Sequence, residues 1–150
     1  MPTYGLNTDR VAFNERGGFM VKMINKTGAP SVKGTVVRAS TTTDFAFTAS
    51  ATDEAQPIGV VYCNGVADAG ECFVVVHGPA QVLLQDSTTS TRGYWVFTSD
   101  TAAGRADATT AAPAGSSFAE VNTHMQEIGH CIESKGAGTN VLAWVIVHFN

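Results

Sequence analysis

Charge is scarce in this chain. Asp, Glu, Lys and Arg make up 15% of its 150 residues, well under the quarter usual for a soluble globular domain. What charge there is sums to −4, with a pI near 5.4. A general nucleic-acid binder needs a basic surface to displace phosphate counterions, so nucleic acid is excluded as an expected partner. Long apolar runs are missing as well. None nears the roughly 18–20 residues of a membrane-spanning helix, and the first residues lack a basic-then-apolar export pattern, so neither membrane nor export is expected. Cysteine is limited to Cys63, Cys72 and Cys131, an odd number that cannot all pair within the chain. Reduced, buried and inert thiols are expected of such a set in a cytoplasm-made protein. Leucine is rare too, at 4 residues against 17 Val, 5 Ile and 18 Thr.

That last imbalance carries the fold class. β-Branched side chains are stiff at χ1 and suit a pleated sheet better than a helix, and 15 glycines punctuate the Val-rich runs. The length is that of one domain. The expectation is an all-β fold, a compact β-barrel or β-sandwich built from two similar β-units, with long polar loops and an extended N-terminal arm. The arm is assigned to 1–20 and the single β-domain to 21–150.

In the arm, Tyr4, Leu6, Val11, Phe13 and Phe19 are spread among polar residues without a period of 2 or 3.6. That apolar content exceeds what a solvated linker needs, so these five are the candidate subunit or partner interface. Strands are expected at Phe19–Ile24, Val32–Ala39, Pro57–Cys63, Glu71–His77, Arg92–Thr98, Glu127–Ile132 and Val141–Phe149. Ser40–Gln56 reads as a long loop with one weak strand anchored by Phe45 and Phe47. Gly78-Pro79 is expected to break the chain before Ala80–Gln85 resumes it. A turn at Ser99–Arg105 returns into a short strand, and Phe118–Gln126 carries a weak helical pattern.

The two halves echo one another. Gly34–Ser40, then Ile58-Gly59-Val60-Val61, then Ala69-Gly70 and a strand is matched by Gly93–Ser99, Ile128-Gly129-His130-Cys131, then Ala137-Gly138 and a strand. The offsets of the first two segments are 59 and 70 residues, so the halves differ in loop length. Two copies of one β-unit, related by a pseudo-two-fold, are expected.

Chemistry is thin. No Gly-x-Ser-x-Gly elbow, phosphate-binding loop or dinucleotide fingerprint occurs. His124, Glu127 and His130 are spaced three apart, unlike the four-residue spacing of a helical zinc pair, and Gly129 argues against a helix. His130 with the three cysteines lacks Cys-x-x-Cys spacing, so no metal is assigned. Cys131 beside His130 is not a catalytic pair, because adjacent strand residues face opposite ways. No catalytic residue and no cofactor are assigned, and the chain is expected not to be an enzyme.

One resemblance spans residues 20–150. Lys33-Gly34-Thr35-Val36-Val37, Pro57-Ile58-Gly59-Val60-Val61, Ala69-Gly70-Glu71 before Phe73-Val74-Val75-Val76, and His77-Gly78 resemble, in their order, the small capsid decoration (cement) proteins of tailed bacteriophages. Arg92-Gly93-Tyr94-Trp95-Val96, Ala103-Gly104-Arg105, Ile128-Gly129 and Ala137-Gly138 before the closing strand extend it, and the ending Val147-His148-Phe149-Asn150 resembles that of phage virion proteins of this size. The resemblance implies a non-enzymatic β-barrel-like virion protein made in host cytoplasm. It implies a homotrimer seated on the capsid surface, with the major capsid protein as partner. The alternatives are a tail, neck or fibre-associated β-domain, and a carbohydrate-binding module that would need Trp95 and Trp144 exposed.

Overall fold

The computed structural model describes residues 9–111 and 118–149. Ten strands and one helix follow in chain order: β1 (Val11–Phe13), β2 (Phe19–Asn25), β3 (Val36–Ala39), β4 (Ala46–Ala49), β5 (Pro57–Val61), β6 (Glu71–Leu83), β7 (Trp95–Thr98), β8 (Ala106–Thr109), α1 (Phe118–Met125), β9 (Glu127–Cys131) and β10 (Leu142–Val147). The fold is all-β, as the composition implies. The strands are hydrogen-bonded in the order β1-β2-β4-β3-β5-β6-β10-β9-β7-β8, and β2 also pairs with β6. That extra pairing closes β2, β4, β3, β5 and β6 into a five-stranded barrel.

The second half repeats the first at the level of register. Val36↔Val60 and Val37↔Gly59 in β3/β5 become Trp95↔His130 and Val96↔Gly129 in β7/β9. Each pair carries a bulge at the same place, leaving Ile58 in one and Ile128 in the other without a partner. Val37↔Ala49 and Ala39↔Phe47 become Val96↔Ala108 and Thr98↔Ala106. The parallel pair Asn25↔Phe47 that closes the first barrel becomes the isolated parallel bridge Leu84↔Ala106. Left-handed backbone recurs with it, at Gly28 and Ser87, Gly34 and Gly93, Phe45 and Gly104, and Ala69 and Asn140. So do buried hydroxyls: Ser31 and Ser90 each donate at 2.9 Å to a carbonyl in the loop after β5 or β9, Cys63 and Glu133 respectively.

The sequence echo is therefore a structural duplication, with one strand shared, except that Ala69-Gly70 is matched by Asn140-Val141 and not by Ala137-Gly138. Strand β6 runs unbroken for 13 residues, its first half completing the first barrel and its second half opening the next unit. Gly78-Pro79, expected to break the strand, bends it instead. Gly78 takes φ +89°, and Pro79, which has no N–H to leave unpaired, offers its carbonyl to Asn14 Nδ2 at 2.6 Å.

Strand alternation sorts the core into two layers. Val37, Phe47, Val61, Cys72 and Val74 fill the first barrel. Their neighbours Val36, Val60 and Val75, on the opposite faces, join Val82, Val96, Ala106, Cys131 and Val145 of the second unit in one continuous core. Central strands buried on both sides explain the near-continuous valine runs. The counterparts of Val36, Val60 and Val75 are Trp95, His130 and Ile146, which are half-buried or exposed. A two-fold would bury matched faces on both units, so the expected pseudo-two-fold gives way to a head-to-tail arrangement in which one outer face stays open.

Three local expectations also change. Val32–Thr35 is loop, and only Val36–Ala39 pairs. Phe45 is no anchor: it lies 84% exposed at φ 52°, while Phe47 is fully buried. Strand structure begins inside the segment expected to be an arm. Val11 pairs with Val21 and Phe13 with Phe19, because apolar residues placed directly across two strands gain more from each other than from solvent.

Candidate functional site

Of the five residues named from the sequence, Tyr4 and Leu6 lie outside the described residues. Val11, Phe13 and Phe19 come together on the β1–β2 ribbon, with the rings of Phe13 and Phe19 5.6 Å apart. Phe13 remains 69% exposed. Among the described residues strand β1 pairs only with β2, which leaves its other edge without a partner strand there. Beside this ribbon runs a groove of about 540 Å³ floored by Val11, Val21, Ile24 and Phe45 and rimmed by Arg10, Lys22, Asp44 and Glu71. Arg10 is ion-paired to Glu71 across it. Apolar floor, charged rim and an unpaired strand edge make a surface suited to a protein partner. The sequence pointed to Val11, Phe13 and Phe19 but not to Phe45, whose exposure depends on its left-handed turn.

A second cluster lies on the open outer face of the second unit. Glu127 begins β9, and the bulge at Ile128 adds one residue between it and His130. In a regular strand, positions three apart face opposite ways; the bulge restores them to one side. His148 follows β10 and is held by its own N–H, which donates to Ile128 O at 2.9 Å. The Glu127 carboxylate is 2% exposed. Its Oε1 sits 3.2 Å from His148 Nε2 and 3.8 Å from His130 Nε2, yet no hydrogen bond reaches it. Its Oε2 lies 3.3 Å from His124 Nδ1 at the end of α1. The two strand-side imidazoles are 3.3 Å apart from Nε2 of His148 to Nδ1 of His130, and Trp95 packs on His130 with ring centres 4.4 Å apart. Glu127 and Trp95 also line a small cleft of about 220 Å³ with Phe97 and Thr123.

The residues expected to do no chemistry are placed as follows. Cys72 and Cys131 are buried and Cys63 half-buried, all three unpaired. Burial, with help from neighbouring Cys63, pushes the Cys72 thiol up to about 11, and burial likewise raises Cys131, so neither is a ready nucleophile at neutral pH. Trp144 is half-buried with the Arg16 guanidinium 5.7 Å from its ring centre, and Trp95 is half-buried against His130. Among the described residues no helix is long and apolar enough to cross a membrane. No protein-family model matches this chain, and no curated protein matches it.

Proposed function

We propose that this protein is a non-enzymatic structural component of a tailed-phage particle, a head decoration protein that binds the assembled lattice of the major capsid protein and stabilises the shell. The observation that carries this reading is the apolar groove along the β1–β2 ribbon, with Phe13 and Phe45 exposed beside an open strand edge. The order of Gly-punctuated strand starts over residues 20–150, which resembles that of cement proteins, points to the capsid as the surface it meets.

The physical logic is that of many equivalent weak sites. A decoration protein must stay soluble in host cytoplasm until the shell presents its lattice, then bind hundreds of identical positions. A short strand flanked by a shallow groove gives backbone hydrogen bonds to an added strand and pockets for its side chains. Association as a homotrimer around a local three-fold axis places one patch of each copy against a different patch of the next. The chain needs no cofactor for this role.

Quantitative mass spectrometry of purified virions tests the proposal. About one copy per major capsid subunit is the expected result, since a closed symmetric shell offers one equivalent site to each subunit. A handful of copies per particle would move the protein to the neck, tail or a fibre, and absence from the particle would overturn the reading.

A further inference from the structure

The outer face of the second unit holds three donors, two from β9 and one from the segment after β10: Glu127 Oε1, His130 and His148, all within 4.8 Å of one another. Two donors bound to one zinc ion at 2.0–2.1 Å in a tetrahedral site lie roughly 3.3–3.4 Å apart. The separations of 3.2 Å and 3.8 Å from Oε1 to His148 Nε2 and His130 Nε2 bracket that value. We propose that Glu127, His130 and His148 form a binding site for a divalent late first-row cation, zinc by preference.

The strongest support is the carboxylate itself. A buried, unpaired carboxylate oxygen is expensive, and proteins satisfy such atoms with hydrogen bonds, partner charges or metals. Glu127 Oε1 is buried and has no hydrogen bond, and its nearest neighbours are the imidazoles of His148 and His130, which offset its charge only when protonated. A dication among the three donors would satisfy it and would draw His130 Nε2 in by a few tenths of an ångström. The donor set fits the ion: imidazole suits zinc, copper and nickel, whereas calcium and magnesium prefer all-oxygen cages. The other carboxylate oxygen faces His124 Nδ1 at 3.3 Å, which fixes the orientation of the group as partners of metal ligands do elsewhere. Both ligating imidazoles are more than a third exposed, so the ion has an entry path and a position open to water or to a donor from another molecule.

The duplication supplies an internal control. By register, the counterparts of Glu127 and His130 in the first unit are Pro57 and Val60, which cannot ligate. The counterpart of His148 is His77, a lone imidazole on β6. The site therefore belongs to the second unit alone. Bound there, the ion would tie the start of β9 to the segment after β10.

Titrating the purified full chain with zinc chloride by calorimetry tests this. The expected result is one zinc per chain. Cobalt(II) in place of zinc should give visible d–d bands, and copper(II) should quench Trp95, which packs on His130. At about a hundredfold excess over Kd, zinc should raise Tm by roughly 5 °C or more. The substitutions E127Q, which keeps the shape of the side chain, and H148A at a half-exposed position should each weaken binding by at least about tenfold. H77A should leave it unchanged. No heat of binding in the unaltered protein, or binding that survives both E127Q and H148A, would overturn the site and leave an ionic cluster of carboxylate and imidazoles.

Discussion

The two units share a hydrogen-bonding plan and differ in what they do with it. In the first, a dedicated strand, β2, pairs on both sides and closes a barrel. In the second, the closing role falls to the far half of β6, and the parallel contact shrinks to the bridge between Leu84 and Ala106. The first unit fills its interior with Phe47, where the second has Ala106. The first turns Val36 and Val60 into the joint between units, where the second turns Trp95 and His130 outward. Register and turns are the conserved frame, while face chemistry is free to diverge once one copy is covered and the other is not. A head-to-tail pair always leaves one face of this kind open, and here that face carries the histidine–glutamate cluster.

The frame should break most readily at its closest backbone approach. Gly59 and Gly129 occupy equivalent positions beside the bulges. A Cβ at Gly129 would land on Ile146 O and 2.9 Å from its carbonyl carbon, and φ there is +151°. At Gly59 the first obstacle is a methyl of Val74, a group able to rotate, with Val75 O next at 2.9 Å. Gly129→Ala should therefore cost about 3–5 kcal/mol in urea denaturation, and Gly59→Ala clearly less. Equal losses would mean that the second unit relaxes as easily as the first.

Interior volume gives the next contrast. Phe47→Ala removes a fully buried ring from a closed barrel, and about 3–4 kcal/mol should be lost. The reciprocal Ala106→Phe overpacks the second unit and should cost about 1–3 kcal/mol. If the single bridge makes that ring pliable, the cost falls at the low end, and combining both substitutions will not restore stability, since the two sites lie in different interiors.

The paired hydroxyls sharpen the likeness rather than the difference. Ser31 Oγ donates to Cys63 O and accepts from Val66 N–H; Ser90 Oγ donates to Glu133 O and accepts from Lys135 N–H. Ser31→Ala and Ser90→Ala should each cost about 1–2 kcal/mol, within about half a kcal/mol of one another. A larger gap in thermal denaturation would show that one loop finds other donors and that the equivalence is geometric only.

Much of this plan could be read before any coordinates. Val and Thr enrichment gave the strands, and Ile58-Gly59 with Ile128-Gly129 marked the repeat, because each pair sits at a bulge where backbones approach closely; Ala137-Gly138 resembled Ala69-Gly70 without occupying its place, which Asn140-Val141 takes. What escaped depended on neighbours distant in sequence. The bend at Gly78-Pro79 reads as a break until Asn14 is seen holding the Pro79 carbonyl. Val11 and Phe13 read as arm because a three-residue strand has too little length to show alternation. The cluster at Glu127 was hidden twice over. Its three-residue spacing suits a helix face, which Gly129 argues against, and in a regular strand it would put the two residues on opposite faces; only the Ile128 bulge puts Glu127 and His130 on one side. His148 lies 18 residues beyond His130, where only the pairing of β9 with β10 brings it in.

The smallest predicted effect is the most informative about the groove. Phe45 and Gly104 share a left-handed conformation, at φ 52° and 73°. Gly104 is packed, since a Cβ there would meet Thr35 Cγ2 at 2.9 Å, so glycine is the residue that fits. Phe45 is open to solvent and has no packing reason to hold a strained backbone with an 84% exposed ring. Phe45→Gly should therefore stabilise the fold slightly, by about 0.5–1 kcal/mol, because an L side chain in the left-handed region costs roughly that much more than glycine. On the proposed role as a decoration protein, the same substitution should weaken binding to capsid shells while raising Tm. Opposite signs in the two measurements would assign Phe45 to an interface. A gain in Tm with unchanged shell binding would remove it from the groove's contact surface and leave Val11 and Phe13 to carry the contact.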